Sequence, residues 1–145
     1  MPVYIYGAGG HGRVVLDICR AAGLDVFGFL DGDPYTHGHW VDGVQVLGGV
    51  DCINGQHVIP AIGDCRARDG ICCLIERRGQ LTSVVHPSAV VSQGAAVGPG
   101  CVICERGVVQ TGSHLGRGVV VNVGGTVTHD CQIGDAAFLG PGAIL

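Results

Sequence analysis

Lysine is absent from this chain, and all eight of its basic residues are arginine. Only Arg77 and Arg78 are adjacent, so the sequence lacks the basic patch with which proteins bind nucleic-acid phosphates. No segment has the length and apolar character of a membrane span. The N-terminus has neither a basic region nor a small-residue cleavage site, which argues against export and organelle import. We therefore expect a cytoplasmic protein that binds neither nucleic acid nor membrane.

A complete cysteine framework is also missing, although the chain has eight cysteines. Cys101 and Cys104 form a single CxxC, but neither a second pair nor a following helix accompanies it. Cys19, Cys72 and Cys73 lie in apolar helical patterns. We expect the cysteines to act mainly as small hydrophobic residues.

The last third of the chain has an aliphatic residue at every sixth position without interruption. These residues are Val91, Val97, Ile103, Val109, Leu115, Val121, Val127, Ile133, Leu139 and Leu145. A strict period of six with one apolar slot is typical of a parallel β-helix, in which each hexad forms a flat face and its aliphatic residue points inward. Three hexads make one triangular coil, so residues eighteen apart are expected to stack.

The slot before each inward residue should face outward, and several of these slots are apolar as well. They are Val90, Val102, Val108, Val120, Phe138 and Ile144. Such a row exceeds what a monomer usually exposes, and it favours a homotrimer along the β-helix axis. The chain ends at Leu145, on the repeat itself. We expect the β-helix to be C-terminally short, either as a truncated product or with its end covered by a partner.

Residues 2 to about 85 alternate between strand and helix patterns, which predicts a parallel sheet covered by helices. We expect strands at 3–6, 26–30, 45–47, 57–62 and 81–85, and helices at 13–22 and 66–78. The polar segment 31–43 should be a surface loop. The domains are expected to span 1–85 and 86–145, with a short junction at His86 and Pro87.

A glycine-rich turn follows the first strand. Gly7, Gly9 and Gly12 spell GxGxxG, and Asp31 ends the second strand. Glycines at these positions let the backbone approach a pyrophosphate at a helix N-terminus, and a carboxylate receives hydroxyl or ring N–H donors. The pattern does not specify NAD, because any nucleotide diphosphate offers the same groups. A glycine turn that only packs the helix on the sheet is the simpler alternative.

Two further residues should lie near this turn. His11 is either a turn residue or a ligand of the same cleft. Gly63 follows another apolar strand, so it should lie on the same sheet edge, where parallel α/β sheets bind their ligands.

His129 occupies a corner slot of its hexad, after the core residue Val127, and Asp130 follows it. A histidine is suited to accept a proton at neutral pH, and a neighbouring carboxylate raises its basicity and fixes its tautomer. A solvated polar corner is the alternative. Zinc is disfavoured, because His114 and His129 are fifteen residues apart rather than eighteen and cannot converge with a third imidazole.

Five segments together resemble a known group of proteins. They are YIYGAGGHGRVVLDI, FLDGDP, AIGDCRAR, VVHPSAVV and NVGGTVTHDCQIGDAAFLGPGAIL. In this order, and over essentially the whole chain, they resemble bacterial hexapeptide-repeat sugar acetyltransferases. That group includes sialic acid O-acetyltransferases and N-acetyltransferases of nucleotide-linked 4-amino sugars.

The resemblance implies a Rossmann-like α/β domain that holds a nucleotide sugar, followed by a left-handed β-helix that binds acetyl-CoA, in a trimer with active sites between subunits. It implies that His129 is the general base and that Asp130 raises its basicity. It further implies contacts to the diphosphate or sugar from Gly9, Gly10 and His11, a nucleotide pocket lined by Asp31, Gly32 and Gly63, and a pocket role for Asn122. Phe138 takes an acetyl-CoA-binding position that often holds a second histidine in the group.

From these features we expect an acetyltransferase that uses acetyl-CoA, needs no metal, and transfers directly to the amino group of a nucleotide-linked amino sugar. Three alternatives stay open at this stage. They are a sugar O-acetyltransferase of the sialic acid type, a fragment of an NAD-binding oxidoreductase, and a non-catalytic β-helix scaffold.

Overall fold

A six-stranded sheet forms the first part of the chain in the computed structural model, which describes residues 2–145. Its strands are β1 (Pro2–Tyr6), β2 (Asp25–Leu30), β3 (Trp40–Val41), β4 (Val44–Gly48), β5 (His57–Pro60) and β6 (Gln80–Leu81). The spatial order is β3-β4-β2-β1-β5-β6, and every pairing is parallel except that of β3 with β4. A parallel sheet of this kind must be covered on both faces, and two helices do so.

The helices are α1 (Gly10–Ala21) and α2 (Cys65–Arg78). α1 begins at Gly10, three residues before the expected start at Arg13. Arg13 is the first residue whose N–H donates within the helix, to the Gly9 carbonyl at 3.1 Å, and the residues between them complete the first turn. α2 begins at Cys65, after the N-cap residue Asp64, whose side chain accepts the backbone N–H of Ala67. Neither helix in this part of the structure is long and apolar enough to cross a bilayer.

The second part of the chain consists of two-residue strands that form three parallel sheets. Face one contains β7 (Val84–Val85), β10 (Val102–Ile103), β13 (Val120–Val121) and β16 (Phe138–Leu139). Face two contains β8 (Val90–Val91), β11 (Val108–Val109) and β14 (Thr126–Val127). Face three contains β9 (Ala96–Val97), β12 (His114–Leu115) and β15 (Gln132–Ile133).

Strands on one face pair eighteen residues apart, as in Val102 with Val120. The inward residues Val109, Val121 and Val127 are buried in one apolar cluster inside the coils. The predicted Rossmann-like α/β domain followed by a left-handed parallel β-helix is therefore confirmed.

Face one packs on α1. Val102 and Val120 are fully buried in one cluster with Val15 and Leu16 of that helix. The expectation that all the second-slot residues lie on free outer faces is therefore wrong for these two valines. The repeat pattern is the same on all three faces, so it does not reveal which face the α/β domain covers. Val90 of face two, by contrast, is 63% exposed.

Two local predictions are also corrected. The strand expected at 81–85 is two strands, of which β6 joins the α/β sheet and β7 begins face one. The segment 31–43 is not entirely loop, because Trp40 and Val41 form the antiparallel edge strand β3. β6 and β7 pair with strands about twenty residues away, which local composition does not indicate. β3 instead forms a tight hairpin with the adjacent β4, and the polar residues around it hide this short strand.

Arg68 of α2 is fully buried where the two parts of the chain meet. Its Nε donates to the carbonyl of Gly118 at 2.7 Å, and its Nη2 donates to that of Ala136 in the next coil. Its Nη1 donates to the carbonyls of Ile62 and Gly63, at 2.8 and 3.0 Å. One guanidinium thus joins the loop after β5 to two coils of the β-helix.

We predict that Arg68→Met lowers the free energy of unfolding by about 3 kcal/mol, because it leaves several buried carbonyls without donors. Arg117→Met is the matched control. Arg117 joins the same regions through ion pairs with the partly exposed Asp69 and Glu76, and its loss should cost about 1 kcal/mol or less. Urea unfolding of both variants measures the difference, and equal losses would contradict the role given to Arg68.

Candidate active site

The glycine turn joins β1 to α1, and its glycines fall into two groups. Gly7 has a φ of 117°, and a Cβ on Gly12 would collide with the Gly7 carbonyl, so these two residues are required for packing. Gly9 and Gly10 have open space where a Cβ would lie. Their backbone is therefore accessible to a ligand at the N-terminus of α1.

Asp31 connects the glycine turn to the loop after β2. Its Oδ2 accepts the backbone N–H of Ala8 at 2.9 Å, and its Oδ1 accepts that of Asp33 at 2.8 Å. The carboxylate thus fixes two loops on the same sheet edge, a positioning role that the sequence pattern does not reveal. Gly32 lies in this loop, and Gly63 lies on the same edge after β5, with open space at its Cα.

His11, in the first turn of α1, packs against the β-helix rather than facing solvent. Its ring lies edge-on to Phe138 of face one, with the centroids 6.2 Å apart. The Arg68 guanidinium lies over the same phenyl ring at 5.7 Å. Burial lowers the pKa of His11, and the Arg68 charge lowers it further. His11 is thus favoured in its neutral form beside the glycine turn.

His129 and Asp130 form a second polar group, on the corner between faces two and three. Nδ1 of His129 lies 2.8 Å from Oδ2 of Asp130, and both side chains are exposed. Because a carboxylate only accepts, Nδ1 carries the proton and Nε2 presents its lone pair outward. Asp130 has a φ of 59°, so the chain bends here and brings two adjacent side chains together.

The coil beneath supports this pair through residues that the sequence analysis did not single out. The carbonyl of Thr111 accepts the N–H of Asp130 at 3.1 Å, and Oε1 of Gln110 accepts the N–H of His129 at 3.0 Å. A Cβ on Gly112 would collide with the Asp130 carboxylate. The eighteen-residue register could have revealed Gly112, since it places that residue directly beneath Asp130.

An open groove of about 470 Å³ runs along face two to His129. Its other lining residues are Val90, Ser92, Val108, Val109, Gln110 and Thr111. The groove is apolar along the strands and polar at the corner. This arrangement suits a ligand that places a reactive polar group at the imidazole.

The structure does not bring all the expected site residues together in one chain. The glycine turn and Phe138 lie at face one, whereas His129 lies at the opposite corner, between faces two and three. Asn122 follows β13 and lies at the corner between faces one and two. Phe138 is half a coil away from His129 and contacts His11 instead.

A Rossmann-like α/β domain joined to a β-helix with an exposed His–Asp pair defines a class of acyltransferases, and the comparisons with known proteins agree. Residues 2–74 match the family described as PglD N-terminal domain. The chain belongs to this family.

Individual relatives are acetyltransferases. GDP-perosamine N-acetyltransferase of Escherichia coli O157:H7 is 29% identical over 149 residues, which cover 96% of this chain and 67% of that protein. The acetyltransferase domain of PglB from Neisseria gonorrhoeae FA1090, in complex with acetyl coenzyme A, has a TM-score of 0.88 and 34% identity over 99% of this chain and 72% of its own.

A third relative is a mutant of GDP-perosamine N-acetyl transferase from Caulobacter crescentus, in complex with CoA and GDP-perosamine. It has a TM-score of 0.88 and 31% identity over 99% of this chain and 70% of its own. These matches identify the chain as an acyltransferase.

We predict that Gly112→Ala reduces acetyl-transfer turnover by about tenfold or more, because the new methyl group displaces the Asp130 carboxylate from Nδ1 of His129. Gly124→Ala is the matched control. Gly124 has a similar positive φ of 65° but open space around it, so both variants should lose about 1 kcal/mol of stability and only Gly112→Ala should lose turnover. Thermal unfolding and steady-state kinetics test this, and equal turnover in both variants would contradict it.

Proposed function

We propose that this protein transfers the acetyl group of acetyl-CoA to the amino group of a nucleotide-linked amino sugar. The observation that carries the proposal is the exposed His129–Asp130 pair, with its free Nε2 at the end of the face-two groove. The relatives in complex with CoA and GDP-perosamine support the choice of both substrates. They favour N-acetylation over the O-acetyl, oxidoreductase and scaffold alternatives.

The reaction needs one base and one direct attack. The amine nitrogen of the sugar attacks the thioester carbonyl carbon, and Nε2 of His129 takes the proton that the nitrogen loses. The carbon–sulfur bond then breaks, and the CoA thiolate takes up the proton from the imidazolium. Asp130 holds the imidazole in the required tautomer and stabilises its charged form.

No covalent acetyl-enzyme is required. Cys131 is the cysteine nearest to the base in sequence, but its Sγ lies 3.8 Å from the His129 carbonyl oxygen and not against the ring. Cys101 is fully buried, and burial raises the pKa of its thiol to about 11, so the thiol stays protonated at neutral pH.

We propose that the nucleotide diphosphate binds at the N-terminus of α1, on the open backbone of Gly9 and Gly10. Asp31 holds the neighbouring loop in place, and Gly32 and Gly63 line the same edge. His11, in its neutral form, and Asn122 are proposed contacts of the sugar end, and Phe138 is a proposed neighbour of the acetyl group across a subunit boundary.

A trimer with active sites between subunits is part of this proposal. The separation of the glycine turn from His129 within one chain supports it, because the turn lies beside face one and His129 lies at the opposite corner of the β-helix. The apolar surface of face two, with Val90 63% and Ile144 73% exposed, supplies a surface that a second copy would cover.

The cytoplasm is the proposed location. All eight cysteines are free thiols, as is usual in a reducing compartment. That compartment also supplies acetyl-CoA.

We predict that the wild-type protein acetylates a nucleotide-linked amino sugar and that His129→Ala reduces turnover by about two to four orders of magnitude, with nucleotide-sugar affinity unchanged. Asp130→Asn should lose less, since the imidazole remains. His114→Ala is the control, because His114 is an exposed histidine on face three. Coupled release of free CoA thiol measures turnover, and an active His129→Ala variant would remove this residue from the mechanism.

A further inference from the structure

The backbone N–H of His129 differs from those of its neighbours. Thr128 donates its N–H to the carbonyl of Leu145 at 3.0 Å, and Asp130 donates its own to that of Thr111 at 3.1 Å. Both are backbone bonds between coils. The N–H of His129 lies between them and donates instead to a side chain, Oε1 of Gln110, at 3.0 Å.

Gln110 is itself held firmly. It follows β11, and its own backbone N–H donates to the carbonyl of Val127 at 2.9 Å. Its Cα is therefore fixed to the coil that carries the base. From this fixed Cα, the Gln110 side chain reaches the backbone of His129, and the position of that backbone determines where the imidazole lies.

The carboxamide of Gln110 has a defined orientation. Only the oxygen of a carboxamide accepts a hydrogen bond from an N–H group, so Oε1 faces the N–H of His129. The amide donor Nε2 does not take part in this bond. Gln110 also lines the groove beside His129. Substitutions of Gln110 can therefore remove the amide donor while keeping an acceptor oxygen, or remove both.

We propose that Gln110 is a positioning residue for the His129 base, acting through its carbonyl oxygen and not through its amide donor. The inference rests on the proposed function. Without a hydrogen-bond acceptor for the His129 N–H, the bent corner would sample several backbone conformations. The imidazole would then spend less time at the reactive geometry. Gln110 reduces that freedom before any substrate binds.

Two variants separate the possible roles. Gln110→Glu keeps an acceptor oxygen in place and removes the donor, whereas Gln110→Met removes both at similar size. Gln132→Met is the matched control, because Gln132 is an exposed glutamine whose Nε2 lies 3.1 Å from Nδ1 of His114, eighteen residues away on face three.

We expect Gln110→Met to reduce kcat about fivefold, the rate equivalent of one net hydrogen bond, with both KM values unchanged. Gln110→Glu should restore most of kcat, and Gln132→Met should match the wild type. Equal losses in Gln110→Met and Gln110→Glu would overturn the proposal in favour of the amide donor. Wild-type kcat in Gln110→Met would overturn it as well.

Water exchange of the His129 amide, measured by NMR on the free protein, provides a readout independent of activity. Gln110→Met should accelerate this exchange, and Gln110→Glu should preserve the wild-type rate. If the wild type transfers no acetyl group, the proposed function fails, while the exchange rates still decide whether Gln110 holds the corner. Unchanged exchange in Gln110→Met would refute the positioning role.

Discussion

The packing of face one against α1 is the constraint on which the rest of the structure depends. Val102 and Val120 are buried there with Val15 and Leu16. Arg68 of α2 also joins the two parts of the chain, through carbonyls of both. A triangular β-helix has three faces and three corners. Once one face is covered by the α/β domain, the opposite corner is the one most remote from that domain.

The proposed chemistry follows from this arrangement. His129 and Asp130 lie at the remote corner, whereas the glycine turn and His11 lie beside the covered face. We propose that a neighbouring subunit brings the two together, so that one chain supplies the base and another supplies the nucleotide sugar. Assembly would then also cover the apolar surface at Val90. It would exclude water from the His129–Asp130 pair, which strengthens the electrostatic interaction between the two side chains.

Much of the fold could be predicted from the sequence, because the period of six fixes the register of every coil. That register placed His129 at a corner and would also have placed Gly112 beneath Asp130. The period cannot indicate which face is covered, since Val102 and Val90 occupy equivalent slots and only one of them is buried. It also cannot assign β6 and β7 to different sheets, because both are short apolar segments with long-range partners.

The sequence predicts those residues of the candidate site whose side-chain type indicates their chemistry. It does not predict residues whose role arises from contacts between distant parts of the chain. An arginine in an amphipathic helix is usually placed toward solvent, and nothing near Arg68 in the sequence indicates that five carbonyls surround it. Gln110 is likewise an ordinary exposed polar residue by pattern. Its contact with His129 arises only when the coils stack.

Subunit complementation tests the central claim most directly. Gly9→Val keeps the base and blocks the approach of a diphosphate to the glycine turn, whereas His129→Ala keeps the turn and removes the base. Each variant alone should be inactive. Coexpression at equal levels should restore about one quarter of wild-type turnover per subunit, since random mixing pairs an intact base with an intact turn at that frequency in a ring of head-to-tail contacts. A mixed assembly as inactive as either variant alone would contradict an active site shared between subunits.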